Sequence, residues 1–378
     1  MKIMYILSGT NMGGATLSFL TLLEKVVERS CNAIVVIPDQ GTEFVNKLNE
    51  LGVRHYAFAY EFDEWPKSFG VKRLLGYPYV VLREQLKQIK ARKKLCDIVR
   101  AELPDIIHTN VSPLDIGYYA AKKYQIPHIW HIREYCDKDF GISLFPTKRA
   151  YRRKLKDCYT ISITKELQGY NGLAGSDNSF VIYNGVRAAD DCIYNPEKQN
   201  FFLSASRVSE EKGIERTIRV FAKFYKNHPL YKLIVLGEGY DYYVDHCKAL
   251  AEELGVENSV VFEGFKTDVD SYMRVALALL VASPSEGFGR MTAEATFNGC
   301  IVVGYNAAGT KEILESTGGY LWNNDDEYYN ALESVASLND VEYRSAVSKA
   351  QRVARRLYSK ESYTGRIFEV YDKVMGTI

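Results

Sequence analysis

No run in this sequence approaches the ~20 consecutive apolar residues that crossing a bilayer takes, so a membrane-spanning protein is excluded from the expectations. Its seven cysteines are odd in number and never closer than 22 positions, which argues against a disulfide framework or a zinc ribbon and for a reducing compartment. The six histidines include no His-Glu-x-x-His pattern, so no metal site is announced. Net charge is almost absent, +1 overall, and no repeat of 20 to 50 residues emerges, which removes solenoids and propellers. The start, "MKIMYILSGT", has one lysine and five apolar residues before Ser8, too few for a secretory h-region of about 7–15. The expectation is a soluble, cytoplasmic protein without a signal peptide.

What is present is size and polarity. A chain of 378 residues exceeds what one core usually serves, so two domains are expected. Residues 1–190 carry 27 Lys and Arg against 20 Asp and Glu, whereas residues 191–378 carry 21 against 27, so the halves suit different partners, one of them anionic. Short apolar runs recur, each followed by a turn and a helical stretch, as in parallel sheets buried on both faces. They are "KIMYILS", "NAIVVIP", "RHYAFAY", "DIIHTN", "HIWHI", "CYTISI" and "FVIYN", then "FFLSAS", "KLIVLG", "VVFEG", "LALLVAS", "IVVGY" and "GYLW". The fold class is α/β, doubly wound. A basic helical run from Val71 to Leu103 interrupts the first set, and Pro78 is expected to kink or split it. The polar stretch "NGVRAADDCIYNPEKQN" reads as an interdomain linker. Domain boundaries are set at 1–185, 186–355 and a final helix, 356–378, that returns to the first domain. Tyr358, Tyr363, Phe368 and Tyr371 read as its core-packing stripe.

Chemistry is sought at the carboxyl ends of the strands, where doubly wound folds bind ligands. The first turn, "SGTNMGGATLSFL", brings Gly13 and Gly14 to a helix N-terminus and lets backbone approach a phosphate. It lacks the G-x-G-x-x-G spacing, so Asp39, at the place of a ribose-binding acid, supports NAD binding only weakly. In "SRVSEEKG", Arg207 and Lys212 are two cations that can clamp a diphosphate, or equally solvated loop charges. In "SPSEGFGRMTAEATFNGC", Glu286 falls in a loop and Glu294 in the first turns of a helix. Amides at that N-terminus, from Phe288 through Gly289, Arg290 and Met291 to Thr292, suit a phosphate, and the two carboxylates suit sugar hydroxyls. The plainer readings are a loop acid and an acid near a positive helix end.

Together with "LGEG" at 236–239, "FEGF" at 262–265 and "VIYNGV" at 181–186, these motifs resemble the retaining family-4, or group 1, glycosyltransferases of GT-B fold. The resemblance runs from the glycine turn to about residue 315. It implies two Rossmann-like domains facing each other across a cleft, acceptor-binding first and donor-binding second. It implies Arg207 and Lys212 on the donor diphosphate, Glu294 on the ribose, Glu286 on a sugar hydroxyl, and backbone near Gly264 and Phe265 on the base. It places Gly13 and Gly14 near the diphosphate and matches His131 to the histidine that reaches the donor sugar. The residues alone leave His131 open as an ordinary buried strand histidine, with His128 on the opposite face and His108 a weaker candidate. Two positions depart from the pattern: Arg187 where an acid usually follows "NGV", and Ala308, which leaves one glycine of a usual pair in "NAAGTKEIL".

The implied activity is metal-independent transfer of a sugar, with retention, from a UDP-sugar or GDP-mannose type donor to a glycan or lipid-linked acceptor in bacterial surface polysaccharide synthesis. No cofactor is expected. Asp268 and Asp270 offer an Asp-x-Asp pair for a divalent ion, but an N-cap at Asp268 is simpler. The alternatives are a sugar-nucleotide epimerase of the same fold, a nicotinamide oxidoreductase, and a nonenzymatic nucleotide-sugar-binding protein. The basic segments, including "LFPTKRAYRRKLKD", read either as a solvated face or as peripheral contact with an anionic membrane; a nucleic-acid partner is disfavoured.

Overall fold

Each of the thirteen apolar runs is a strand in the computed structural model, which describes residues 1–66 and 77–376. The first seven are β1 (Lys2–Ile6), β2 (Asn32–Ile37), β3 (Arg54–Ala57), β4 (Ile106–Thr109), β5 (His128–Ile132), β6 (Tyr159–Ser162) and β7 (Ser179–Val181). They form one sheet in the order β3-β2-β1-β4-β5-β6-β7, parallel in every pairing. The other six are β8 (Gln199–Ala205), β9 (Lys232–Leu236), β10 (Val260–Gly264), β11 (Ala276–Val281), β12 (Ile301–Tyr305) and β13 (Tyr320–Trp322). Their order is β10-β9-β8-β11-β12-β13, again parallel throughout. Helices cover both faces, so central strands such as Ile3–Ile6 are wholly buried, and each large apolar side chain so placed contributes about 1.5–3 kcal/mol.

The chain divides into two units, Met1–Tyr183 with Tyr363–Ile378, and Asn184–Ser362. The aromatic stripe near the C-terminus is therefore shared. Tyr358 ends the helix Asp340–Tyr358 and hydrogen-bonds Ser316 at 2.7 Å within the second unit. Extended backbone at Ser359 then breaks the helix, and Tyr363, Ile367, Phe368 and Tyr371 of Lys360–Val374 pack into the core of the first.

The division falls between Tyr183 and Asn184, at the start of the polar stretch, and the stretch is held by the second unit, with Ile193 N donating to Phe297 O at 2.9 Å and Lys198 Nζ to the carbonyls of Arg274 and Gly299 at 2.8 Å. Part of the basic run, residues 67–76, lies outside the described residues; from Tyr77 the chain is one helix to Glu102. The kink or split expected at Pro78 turns on those residues; Pro78 itself stands in the first described turn of the helix.

In each sheet the order reverses beside the first strand, between β1 and β4 and between β8 and β11. The loops that leave these neighbours part company there and open a crevice at the carboxyl edge. The glycine turn follows β1, and "SRVSEEKG" and "PSEGFG" follow β8 and β11.

Candidate functional site

In the second unit the crevice between the β8 and β11 loops is a cavity of about 220 Å³, lined by residues that include Ser206, Arg207, Lys212, Ser283, Glu286 and Gly289 to Thr292. Loop geometry draws them together. Gly213 has φ +69°, and a Cβ there would stand 2.7 Å from Ala282 O, so only glycine lets the Lys212 turn close onto the β11 loop. Lys212 Nζ then reaches Glu286 Oε1 at 2.5 Å, both side chains about a quarter exposed. From beneath, Gly309 N donates to Glu286 O at 2.8 Å, and a Cβ on Gly309 would stand 2.1 Å from Phe288 O.

The helix Arg290–Phe297 starts from Gly289, at φ +86°, and its first amides point toward the carboxyl edge without intrahelical acceptors. Thr292 is wholly buried, lines the cavity, and has an unpartnered Oγ1; Nη1 of Arg290 is also buried and unpartnered. Buried polar atoms without partners are costly, so a pocket that carries several is built for a polar occupant. The helix end suits an anion, which would compete with Glu286, Glu294 and Glu211 for Lys212, Arg290 and Arg207, each paired with one of these acids.

Glu294, 8% exposed, lies in the second turn of the helix. Its Oε1 accepts from Arg290 at 2.9 Å and faces Arg187 Nη2 at 3.9 Å. Arg187 is itself fixed by Asp270 Oδ1 at 2.7 Å, which also accepts from Asn298 at 2.9 Å. Asp268 caps its helix by accepting from Ser271 N at 3.1 Å, so both acids of the Asp-x-Asp pair are engaged by protein groups. Gly264 and the exposed Phe265 end β10 on the same edge but do not line the cavity.

Sequence reasoning put Arg207 beside Lys212. Instead its guanidinium pairs with Glu211 at 2.5 Å and is two-thirds exposed, at the rim. Arg187 appeared in the sequence only as a departure from a pattern, and its contact with Glu294 spans 107 positions that no local spacing reports.

In the first unit, Gly13 is the extended N-cap of the helix Gly14–Glu28, at the β1 loop. Asp39 is taken by Thr10 and by Gly41 N at 3.1 Å. His131 and His108, on adjacent strands, are wholly buried, and burial followed by the Arg133 charge holds both well below the usual imidazole range. His131 Nδ1 lies 3.5 Å from Arg133 Nη2 and 3.3 Å from His108 Nε2. Guanidinium only donates, so Nδ1 is the acceptor and the His131 proton sits on Nε2. His108 Nε2 must then donate, leaving its Nδ1 to accept from Tyr371 Oη at 2.8 Å, which in turn accepts from Tyr5 Oη at 3.0 Å. The chain of donors ends on His131 Nε2, a buried N–H with no partner. His128 points to the other face, toward Thr109 at 2.9 Å and Cys158 at 3.2 Å, and is a core histidine. A larger groove, about 610 Å³, lies in this unit between residues 58–66 and the helix Tyr77–Glu102.

Two doubly wound parallel units of seven and six strands are the GT-B architecture. Residues 190–353 match the family described as "Glycosyl transferases group 1". The second unit thus carries the segment that matches the group 1 glycosyltransferases, and the resemblance to named glycosyltransferases supports a transferase enzyme. It is 25% identical over 228 residues to a poly(glycerol-phosphate) alpha-glucosyltransferase of Bacillus subtilis, a match that covers 58% of this chain but spans only 33% of that protein. It is 24% identical over 324 residues to an alpha-monoglucosyldiacylglycerol synthase of Acholeplasma laidlawii, covering 77% of this chain and 79% of the relative. Among solved structures, Anabaena HepE in complex with UDP has the same fold, with a TM-score of 0.79 at 21% identity over 99% of this chain and 100% of that one.

Proposed function

We propose that the protein moves a hexosyl group, with retention and without a metal ion, from a UDP-sugar to a glycan or lipid-linked acceptor of a bacterial cell surface. One observation carries the reading: the second unit's anion cavity, in which a helix N-terminus, Lys212 and an unpartnered Thr292 hydroxyl converge. The names of the relatives add α-glucosyl transfer, the complex of HepE adds UDP, and A. laidlawii supplies the precedent of a lipid acceptor.

In this reading the leaving diphosphate lies across the amides of Arg290 to Thr292. Lys212 meets the charge that develops as the glycosidic bond breaks, with Arg207 swinging in from the rim. Glu294 Oε2 accepts from ribose hydroxyls, since Oε1 is occupied. Glu286 holds Lys212 until donor arrives, then orients a sugar hydroxyl. Backbone at Gly264 and Phe265 receives the base, and within the first unit the resemblance assigns Gly13 and Gly14 to phosphate and the Nε2–H of His131 to a sugar hydroxyl. His131 is held neutral, so it is a donor of one hydrogen bond and not a general base. A diphosphate oxygen takes the acceptor's proton on the face from which it departs.

Calorimetry with UDP, UDP-glucose and GDP-mannose tests the donor. UDP-glucose is expected to bind, and Lys212→Ala to lose at least about tenfold in affinity, the worth of one charge-assisted contact. Unchanged affinity in that variant refutes the site. Transfer is expected to persist in EDTA, whereas a strict need for Mg²⁺ or Mn²⁺ would restore a metal role to Asp268 and Asp270. Altered sugar-nucleotide released without any acceptor would indicate an epimerase instead.

A further inference from the structure

Residues 61–66 form a strap that ties together two connections at the carboxyl edge of the first unit's sheet, the one leaving β3 and the one leaving β5. Glu64 bridges Leu144 in antiparallel fashion, Trp65 N donates to Ser143 O at 2.7 Å, and Phe145 N donates to Asp63 O at 3.0 Å. Asp63 N donates to Pro113 O at 2.8 Å, and Gln88 Nε2, from the helix Tyr77–Glu102, donates to the carbonyls of Glu61 and Phe62 at 2.7 and 3.0 Å. Glu61, Phe62, Glu64 and Pro66 also wall the groove of about 610 Å³, so the strap shapes that groove.

Behind the strap lie four charges with little access to water. Asp63 and Asp115 are 6% and 2% exposed. The Lys154 ammonium, on the helix Lys148–Lys156, donates to Asp63 Oδ2 at 3.0 Å and to Asp115 Oδ2 at 2.6 Å. Arg92 Nη2 donates to the two oxygens of Asp115 at 3.1 and 3.0 Å but stands 3.9 Å from Asp63 Oδ1. Both cations lie over the Tyr119 ring, at 3.9 and 5.2 Å, and Glu61 on the strap faces Lys87 instead, at 3.6 Å. The cations therefore serve Asp115 better than Asp63. Among the described residues, Asp63 Oδ1 is buried without a hydrogen-bond partner. Ionised, Asp63 leaves that oxygen uncompensated beside a second carboxylate; a proton removes the charge and supplies an O–H.

We infer that Asp63 is a proton-operated fastener: a proton on its carboxyl locks the strap that walls the groove, and loss of that proton loosens it. Burial and Asp115 raise the carboxyl to about 7, whereas in a strap opened to water it titrates as an ordinary aspartate, at about 3.9. The closed strap is thus the tighter proton binder, so closure gains as pH falls through 7 and the gain is gone above it. From pH 8 to pH 6 the ratio of closed to open strap rises about tenfold. Global unfolding of the unit runs the other way, because burial lowers His108, His128 and His131 and each costs stability as pH falls. The inference is independent of what the groove or the anion cavity binds.

Hydrogen–deuterium exchange of the full chain at pH 6 and pH 8, corrected for the intrinsic pH dependence of amide exchange, tests it. In wild type the peptides that carry the amides of Trp65 and Phe145 are expected to be about tenfold better protected at pH 6, while the central strand Lys2–Ile6 is not. Asp63→Asn keeps the shape and a donor without the charge, and it is expected to hold the same protection of the strap at both pH values. Equal protection of the wild-type strap at the two pH values overturns the inference, and so does a pH dependence that survives in Asp63→Asn. Should that variant not fold, titration of the Asp63 carboxyl carbon by NMR in wild type decides: a midpoint of about 7 supports the fastener, and one below about 5 overturns it.

Discussion

Acid should unfold the first unit selectively. Three of the six histidines, His108, His128 and His131, are buried there, whereas those of the second unit, His228 and His246, are not. Burial lowers all three, His128 to about 3 and the others well below the ordinary imidazole value of 6.5. A depressed folded pKa gives stability that is present above the unfolded pKa and lost as pH falls from there toward the folded value. Between pH 7 and pH 5 the unfolded chain gains proton binding at His128 worth about 2 kcal/mol that the folded chain forgoes, and His108 and His131 add losses of the same sign. Asp63 opposes this. Burial and the adjacent Asp115 raise it to about 7, so its proton favours the folded state as pH drops and returns about 2 kcal/mol. Asp63 thus offsets about one histidine, and the losses at the other two set the net destabilisation of the first unit. Urea titrations at the two pH values, with each unit followed by peptide-resolved pulse labelling with deuterium, measure it. The His128→Gln variant should show a smaller change between the two pH values than wild type, whatever its absolute stability. A first unit that loses less than about 1 kcal/mol, or a second unit that loses as much as the first, would refute the reasoning.

Other outcomes follow from single contacts. Ala308 has φ +51°, a conformation that strains any residue with a Cβ, so Ala308→Gly should be neutral or stabilising by up to about 1 kcal/mol in thermal unfolding, against the roughly 1 kcal/mol loss usual in a helix. A cost of the usual size would show that the strain is absent. Gly309→Ala, by contrast, must displace Phe288 O and should cost a large part of UDP affinity even where the fold survives; wild-type affinity would show that the Glu286 loop does not depend on it. His108→Phe should lower kcat for transfer without a matching change in UDP affinity, since it removes the donor to His131 Nδ1; His108→Gln, which keeps an N–H, should restore part of it. Arg187→Gln should weaken UDP severalfold and 2′-deoxy-UDP much less, because it loosens Glu294; equal losses would mean that Glu294 does not meet the ribose.

The sheets were legible because strands buried on both faces leave continuous apolar runs, and parallel order follows from alternation with helices. That Lys212 and Gly289 to Thr292 line one cavity was legible through motifs, which record loop and helix together. What sequence did not show was pairing at a distance. Lys212 and Glu286 were read as two independent ligands of a donor, yet without one they neutralise each other across 74 positions. Tyr371 was read correctly as a core residue, but its hydroxyl contact with His108 spans 263 positions.

The two departures from the family pattern explain each other's setting better than either sequence position does alone. Where the resemblance leads one to expect an acid, Arg187 stands 3.9 Å from Glu294, an attraction in place of a repulsion. Asp270, itself held by the side-chain amide of Asn298, takes up the guanidinium, so the partly buried cation does not face Glu294 alone. Arg290 and Arg187 both face Oε1, which leaves Oε2 outside these two ion pairs. On the other side of the helix, the replaced glycine at Ala308 could be exchanged because a small Cβ only strains the backbone. Gly309 could not, because there a Cβ meets the carbonyl of Phe288 in the loop that aims Glu286. At position 308 the cost of a Cβ is thus conformational, whereas at position 309 it is an overlap of atoms beneath the cavity.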